Sequence, residues 1–126
     1  MRNLGVHILI ELNECAPSLL VDVVSVREKM LCSVRVGGGT IIGDYFKQFE
    51  PYGVSGMVVI AESHVSIHTW PEHSYAAVDV FTCGSGDVPY KIAEHLIKIF
   101  KSSHPVMCEF KRGLLPSSQA SSLCVA

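Results

Sequence analysis

Residues 54–82, VSGMVVIAESHVSIHTWPEHSYAAVDVFT, consist of apolar segments separated by short polar breaks. β-branched and aromatic residues dominate the apolar segments and favour extended strands. Pro71 ends one segment, because proline lacks the amide hydrogen that a sheet ladder needs. This stretch therefore predicts three successive strands, whose short connections favour antiparallel pairing. The predicted strands are Val54–Ala61, His64–Trp70 and Tyr75–Thr82.

Further strands and two helices flank this stretch. Helical spacing of apolar residues predicts one helix that opens at Pro17 and ends before three glycines, and a second that follows Asp87 as its N-cap. The resulting order predicts an α+β fold, a two-layer sandwich with two helices on one face of a mainly antiparallel sheet. The other face would then be polar or covered by a partner. The flanking strands are predicted at Gly5–Asn13, Thr40–Glu50 and Pro105–Lys111.

Composition narrows the class of protein. The 126 residues suit a single domain, and a formal net charge of −2 without a basic run argues against a nucleic-acid partner. No apolar stretch is long enough to span a membrane, and no signal peptide is evident. Five cysteines without a CxxC pair suggest reduced thiols and a cytoplasmic location. Residues 113–126, rich in serine and alanine, are expected to form a flexible tail.

The second predicted strand of residues 54–82, His64–Trp70, has one polar face. Because alternate residues of a strand share a face, His64, Ser66 and His68 would project together. Two kinds of site remain open: a metal site that adds Cys83, or a nucleophile, Cys83 or Ser63, paired with His68. Zinc sites usually show further ligands at short spacing, and none is evident, so we expect no metal.

Three motifs in order decide between these possibilities. PYGVSG (51–56), ESHVSIHTWPE (62–72) and YAAVDVFTCG (75–84) closely resemble the small prokaryotic S-adenosylmethionine decarboxylases, which are self-processing, pyruvoyl-dependent proenzymes. The resemblance extends over roughly residues 4–111 and implies a carboxy-lyase.

The resemblance implies that the chain cuts itself between Glu62 and Ser63. The Ser63 hydroxyl would attack the Glu62 carbonyl, and elimination of the ester would leave a pyruvoyl group at the start of the new chain. His68 matches the processing base, and Ser55 matches a second processing residue near the scissile group. The products would be a β chain, residues 1–62, and an α chain, residues 63–126.

Catalysis would then use the pyruvoyl group as a covalent cofactor that forms an imine with the amine of S-adenosylmethionine. Cys83 matches the proton donor to the carbon that loses carbon dioxide. Phe49 and Glu72 match residues that bind adenine and ribose, and Trp70 is a further candidate for substrate binding. The product, decarboxylated S-adenosylmethionine, would serve the synthesis of spermidine, a polyamine.

The resemblance also implies a homodimer of processed protomers with active sites near the interface. Two alternatives stay open: a pyruvoyl-dependent arginine or ornithine decarboxylase, and an unprocessed, non-catalytic paralogue. The sequence departs from the family at Ser74, where glycine is common, so a left-handed backbone there would be strained.

Overall fold

The structure, a computed structural model, describes residues 2–61, 63–84 and 86–116. Six strands and two helices in this part of the chain follow the predicted order. The strands are β1 (Arg2–Asn13), β2 (Ile41–Gln48), β3 (Val54–Ile60), β4 (Ser63–Trp70), β5 (Tyr75–Cys83) and β6 (His104–Leu115). The helices are α1 (Val23–Gly37) and α2 (Val88–Ile99), and single 3₁₀ turns cover Pro17–Leu19 and Pro71–His73.

The six strands form one sheet in the order β2-β3-β4-β5-β1-β6, and every neighbouring pair is antiparallel. Strands β2 to β5 lie side by side as they follow along the chain, whereas β1 inserts between β5 and β6. Helices α1 and α2 pack on each other and on one face of the sheet. The predicted α+β sandwich, with two helices on one face, is confirmed.

The core lies between the helices and this face of the sheet. Val65 of β4 pairs with Val58 of β3 and Val80 of β5, and all three side chains are fully buried. Burying one such side chain stabilises the fold by about 1.5–3 kcal/mol. The buried residues that cover them from the helical layer include Val26, Met30, Ile92, Leu96 and Phe100.

The helix boundaries differ in part from those predicted. α1 begins after Asp22, whose carboxylate accepts a hydrogen bond from Ser25 N at 2.8 Å, so residue 17 opens only a 3₁₀ turn. The predicted glycine stop is confirmed, because Gly38 caps α1 with a φ of 92°. Asp87 precedes α2 as predicted but forms an ion pair with Lys91 instead of a side-chain cap.

Strand β6 is longer than the predicted Pro105–Lys111, since it pairs along the whole of β1, with Leu115 opposite Arg2. The expectation of a flexible tail from residue 113 is therefore wrong for residues 113–115. The part of that predicted tail from 117 to 126 lies outside the described residues. Neither helix of the described chain is both long and apolar enough to cross a bilayer.

The sheet face opposite the helices is the open face. Exposed apolar side chains grouped on one face mark an interaction site more often than a solvated surface. The sequence predicted that this face would be polar or covered, and most of its exposed side chains are apolar. They include Leu9, Tyr45, Met57, Val59, Trp70, Val106, Phe110 and Leu114.

Candidate active site

Ser63 is the first residue of β4 and lies beside the end of β5. Its hydroxyl oxygen accepts a hydrogen bond from Cys83 N at 3.0 Å. Ser63 is half-buried and Cys83 is exposed. Glu62 lies outside the described residues. Ser63 and Cys83 border a cavity of about 200 Å³. Its other lining residues are Gly38, Gly39, Thr40, Ile60, Ala61, Thr82, Val88 and Pro89.

Ser55 and His68 form a second pair, near the other end of β4. They face each other across the β3–β4 ladder, and Ser55 Oγ shares a hydrogen bond of 2.8 Å with His68 Nδ1. His68 is exposed on the open face, as the alternation of β4 predicted. This position gives its imidazole access to whatever covers that face.

The two pairs do not meet within one chain. Ser63 and His68 are five residues apart on one strand, which at 3.3 Å per residue is about 16 Å. An imidazole side chain does not bridge that distance. The structure thus brings Ser63 to Cys83 and Ser55 to His68, and keeps these pairs at opposite ends of β4.

A cavity of about 370 Å³ opens beside His68. All three predicted substrate-binding residues line it: Phe49 after β2, Trp70 at the end of β4, and Glu72 in the following 3₁₀ turn. A volume of this size is typical of sites for small ligands. The remaining lining residues are Glu50, Pro51, Tyr52, Gly53, Val54, Ser55 and Thr69.

Trp70 has a fixed orientation in this cavity. Its indole stacks on the Tyr75 ring, with centroids 5.5 Å apart and planes inclined by 27°. The Tyr75 hydroxyl donates a hydrogen bond of 2.7 Å to Glu11. Burial, and then the hydrogen bond to Glu11 and its charge, raise the pKa of Tyr75 to about 12. Tyr75 therefore stays protonated and braces one face of the indole.

The turn after Glu72 contains the residue that departs from the family pattern. Ser74 has φ 52° and ψ 38°, a left-handed conformation that glycine adopts more readily. The left-handed backbone that was considered from the sequence is therefore present at this position. Its carbonyl accepts a hydrogen bond from Cys15 N at 2.9 Å, which helps to hold the turn in place.

Comparison with known proteins agrees with these motifs. The model of the S-adenosylmethionine decarboxylase family matches residues 6–113. The chain is 47% identical over 115 residues to the S-adenosylmethionine decarboxylase proenzyme of Thermodesulfovibrio yellowstonii, covering 91% of this chain and 85% of that protein. The chain belongs to the S-adenosylmethionine decarboxylase family. It is also 41% identical over 114 residues to the proenzyme of Pyrococcus furiosus, covering 90% and 82% of the two chains.

Solved structures of S-adenosylmethionine decarboxylases share the fold. The crystal structure of adenosylmethionine decarboxylase from Aquifex aeolicus matches with a TM-score of 0.88 and 33% identity, over 94% of this chain and 98% of that chain. A Trypanosoma brucei AdoMetDC monomer matches with a TM-score of 0.60 over 95% of this chain and 49% of that chain. Its identity of 16% supports the likeness of the fold alone.

One group of polar residues in this decarboxylase fold was missed by the sequence analysis. On the open face, Asp79 Oδ2 accepts hydrogen bonds from His7 Nε2 at 2.7 Å and His64 Nε2 at 3.0 Å, and Oδ1 accepts from the Ser66 hydroxyl. Arg112 Nη1 donates to His7 Nδ1 at 2.9 Å. We call these five residues the central polar network. Strand alternation in the sequence could have predicted that Asp79 shares a face with Cys83. It could not have predicted that His7 lies beside Arg112, because the two residues are on different strands.

The electrostatics of the network centre on Asp79. Burial raises the pKa of this carboxyl, but hydrogen bonds from Ser66, His7 and His64 outweigh that effect, so its pKa lies below the ordinary value. Asp79 is therefore ionised at neutral pH and satisfied on both oxygens.

The possible metal ligands considered from the sequence are not brought together. His64 bonds to Asp79, His68 bonds to Ser55, and Cys83 lies beside Ser63. Among the described residues, the group with ligand atoms close enough for a metal ion is a different one: His7, His64 and Asp79.

Proposed function

We propose that the protein is a pyruvoyl-dependent S-adenosylmethionine decarboxylase that forms decarboxylated S-adenosylmethionine for spermidine synthesis in the cytoplasm. The observation that carries the proposal is the contact between Ser63 and Cys83. A group derived from Ser63 would lie beside Cys83, the residue that the family motif indicates as proton donor. Family membership supports the same chemistry.

Self-cleavage would begin with the Ser63 hydroxyl. Its oxygen attacks the carbonyl carbon of Glu62, and the peptide bond is replaced by an ester. Removal of the Ser63 α-proton then breaks the ester Cβ–O bond, leaves Glu62 as a carboxylate, and leaves a dehydroalanine that water converts to the pyruvoyl group with release of ammonia. His68, assisted by Ser55, is the proposed base. The products are chains 1–62 and 63–126.

The surroundings of Ser63 suit the pyruvoyl group that this reaction would leave. The Cys83 N–H already donates to an oxygen of residue 63, and a cavity opens beside it. When formed, the group supplies a carbonyl that bonds to the substrate amine and withdraws electrons as carbon dioxide leaves. The Cys83 thiol then donates the proton that replaces the lost carboxyl group, provided that the thiol is protonated.

A second copy would complete the site. Because Ser63 lies about 16 Å from His68 in one chain, we propose that the processing residues reach Ser63 from another chain. A two-fold axis that lies between the stacked open faces and perpendicular to the strands would run the two β4 strands in opposite directions, and each Ser63 end would then lie near the other chain's His68 end. The exposed apolar side chains of the open face support burial in such a homodimer.

The cavity beside His68 would bind the nucleoside part of the substrate. Phe49 and Trp70 provide aromatic faces for the adenine ring or the sulfonium charge, and Glu72 provides a carboxylate for the ribose hydroxyls. Each active site would combine this cavity from one copy with Ser63 and Cys83 from the other.

The test is the mass of the purified protein under denaturing conditions, with Ser63→Ala as control. We expect two fragments, the second beginning with a pyruvoyl group at residue 63, and an intact Ser63→Ala chain. Released carbon dioxide is then measured with S-adenosylmethionine, arginine and ornithine. Intact wild-type chain after long incubation would favour the non-catalytic paralogue, and turnover of arginine or ornithine alone would replace the proposed substrate.

A further inference from the structure

We propose that the central polar network positions the active site by fixing His64, the residue to which the pyruvoyl group would be attached. This inference rests on the proposed function. His64 follows Ser63 directly, so the backbone nitrogen of His64 carries the group made from Ser63. The imidazole of His64 is tied through Asp79 and His7 to Arg112, on the edge strand β6.

Hydrogen-bond donors and acceptors match in one arrangement. A guanidinium only donates, so His7 Nδ1 accepts from Arg112 and the proton of neutral His7 resides on Nε2. His7 Nε2 therefore donates to Asp79 Oδ2, which also accepts from His64 Nε2. The network thus joins strands β1, β4, β5 and β6 at one point and leaves His64 one orientation towards Asp79.

Packing restricts the same ring. Phe81 contacts both imidazoles, with ring centroids 5.3 Å from His7 and 5.9 Å from His64, and the Arg112 guanidinium lies 5.7 Å from the Phe81 centroid. The side chains of His7, Asp79 and His64 are only 18%, 22% and 31% exposed. Hydrogen bonds to a charge in such a setting are stronger than in water, so rotation of His64 is opposed.

Self-cleavage makes this restraint matter. Cutting between residues 62 and 63 removes the covalent bond that holds Ser63 from its N-terminal side. What then holds the new chain end is the pairing of residue 63 with Ile60 and of His64 with Val59 and Phe81, together with the His64 side chain. Displacement of a reacting group by about 1 Å can lower a rate about 100-fold. Anchoring His64 would keep the pyruvoyl group beside Cys83.

A metal site is the competing explanation for His7, His64 and Asp79. A metal-bound histidine normally donates its other ring N–H to an acceptor. Arg112 instead presents a donor to His7 Nδ1, which places the proton on the nitrogen that would have to bind the metal. The geometry therefore favours positioning over metal binding.

The first test introduces Asp79→Asn into the full chain and allows the chain to process itself before it is assayed. The matched control is Asp44→Asn, which removes another ion-paired carboxylate. Asp44 lies on β2, and its carboxylate bonds to Arg27 of α1 at 2.6 Å. The fraction of processed chain is determined by mass, and kcat per processed chain and KM are measured with S-adenosylmethionine. We expect Asp79→Asn to lower kcat at least tenfold with KM changed less than about twofold, because the network acts at the Ser63 end and not in the nucleoside cavity. The control keeps wild-type values.

A second pair of variants covers the case in which Asp79→Asn is not processed. Arg112→Met removes the donor at the exposed end of the network, and Arg112→Lys restores one donor and the charge. We expect kcat to fall several-fold in the first and to recover largely in the second. Wild-type kcat in Arg112→Met, a loss confined to KM, or an equal loss in Asp44→Asn would overturn the positioning role. Inactivation of the wild type by a chelator would show instead that these residues form a metal site. An uncleaved wild type would instead refute the proposed function.

Discussion

Two inactive chains should restore activity to each other if each active site is shared between copies. Ser63→Ala lacks the residue from which the pyruvoyl group is proposed to form but keeps His68, and His68→Ala keeps Ser63 but lacks the proposed base. In a mixed dimer, Ser63 of the His68→Ala chain meets the intact His68 of the other chain. The prediction follows from the separation of about 16 Å along β4, which prevents both residues of one chain from serving the same site.

The expected magnitude follows from the symmetry. With equal expression and random pairing, about half of the dimers are mixed, and each has one complete site out of two. Co-expression should therefore give about one quarter of wild-type activity per total chain. The same fraction of all chains, every one of them a His68→Ala chain, should be cleaved. Activity is read by carbon dioxide release, and cleavage is read by mass.

A matched control distinguishes sharing from non-specific rescue. Cys83 lies beside Ser63 in the same chain, so co-expressing Ser63→Ala with Cys83→Ala leaves no site with both groups intact. That mixture should show no more activity than Cys83→Ala alone. Complementation by Cys83→Ala, or none by His68→Ala in verified mixed dimers, would refute the shared site.

Three further predictions concern local features. Ser74→Gly relieves the left-handed backbone at φ 52° and should raise the free energy of unfolding, measured in urea, by about 0.5–1 kcal/mol, since the greater freedom of glycine in the unfolded chain offsets part of the gain. Tyr75→Phe breaks the hydrogen bond that braces the indole and should raise KM about two- to fivefold, the equivalent of about 0.5–1 kcal/mol. It should also alter the fluorescence of Trp70, the single tryptophan, whereas Tyr90→Phe, which loses a similar bond on α2, should do neither. The pKa of Asp79 is lower in the folded chain than in the unfolded one, so its carboxylate contributes stability that is present above about pH 4 and is lost as pH falls through the folded value. Asp79→Asn should therefore reduce the loss of thermal stability between pH 7 and pH 3, followed by circular dichroism.

Strand alternation and glycine placement are local signals, and the predictions made from them are confirmed. His64, Ser66 and His68 share the open face as predicted, and Gly38 ends α1. The length of β6 was underestimated because its last residues are extended by pairing with the start of β1, a partner that is distant in sequence.

The sequence by itself determined the α+β class, the order of the elements, the family and the residues that carry its motifs. The tertiary structure alone decided which of those residues meet: Ser63 lies beside Cys83, while His68 lies at the far end of β4. It also placed His7 against Arg112, which is 105 positions away. The physical reason is that side-chain periodicity records which face a residue takes, whereas strand order and register arise from pairing between distant segments.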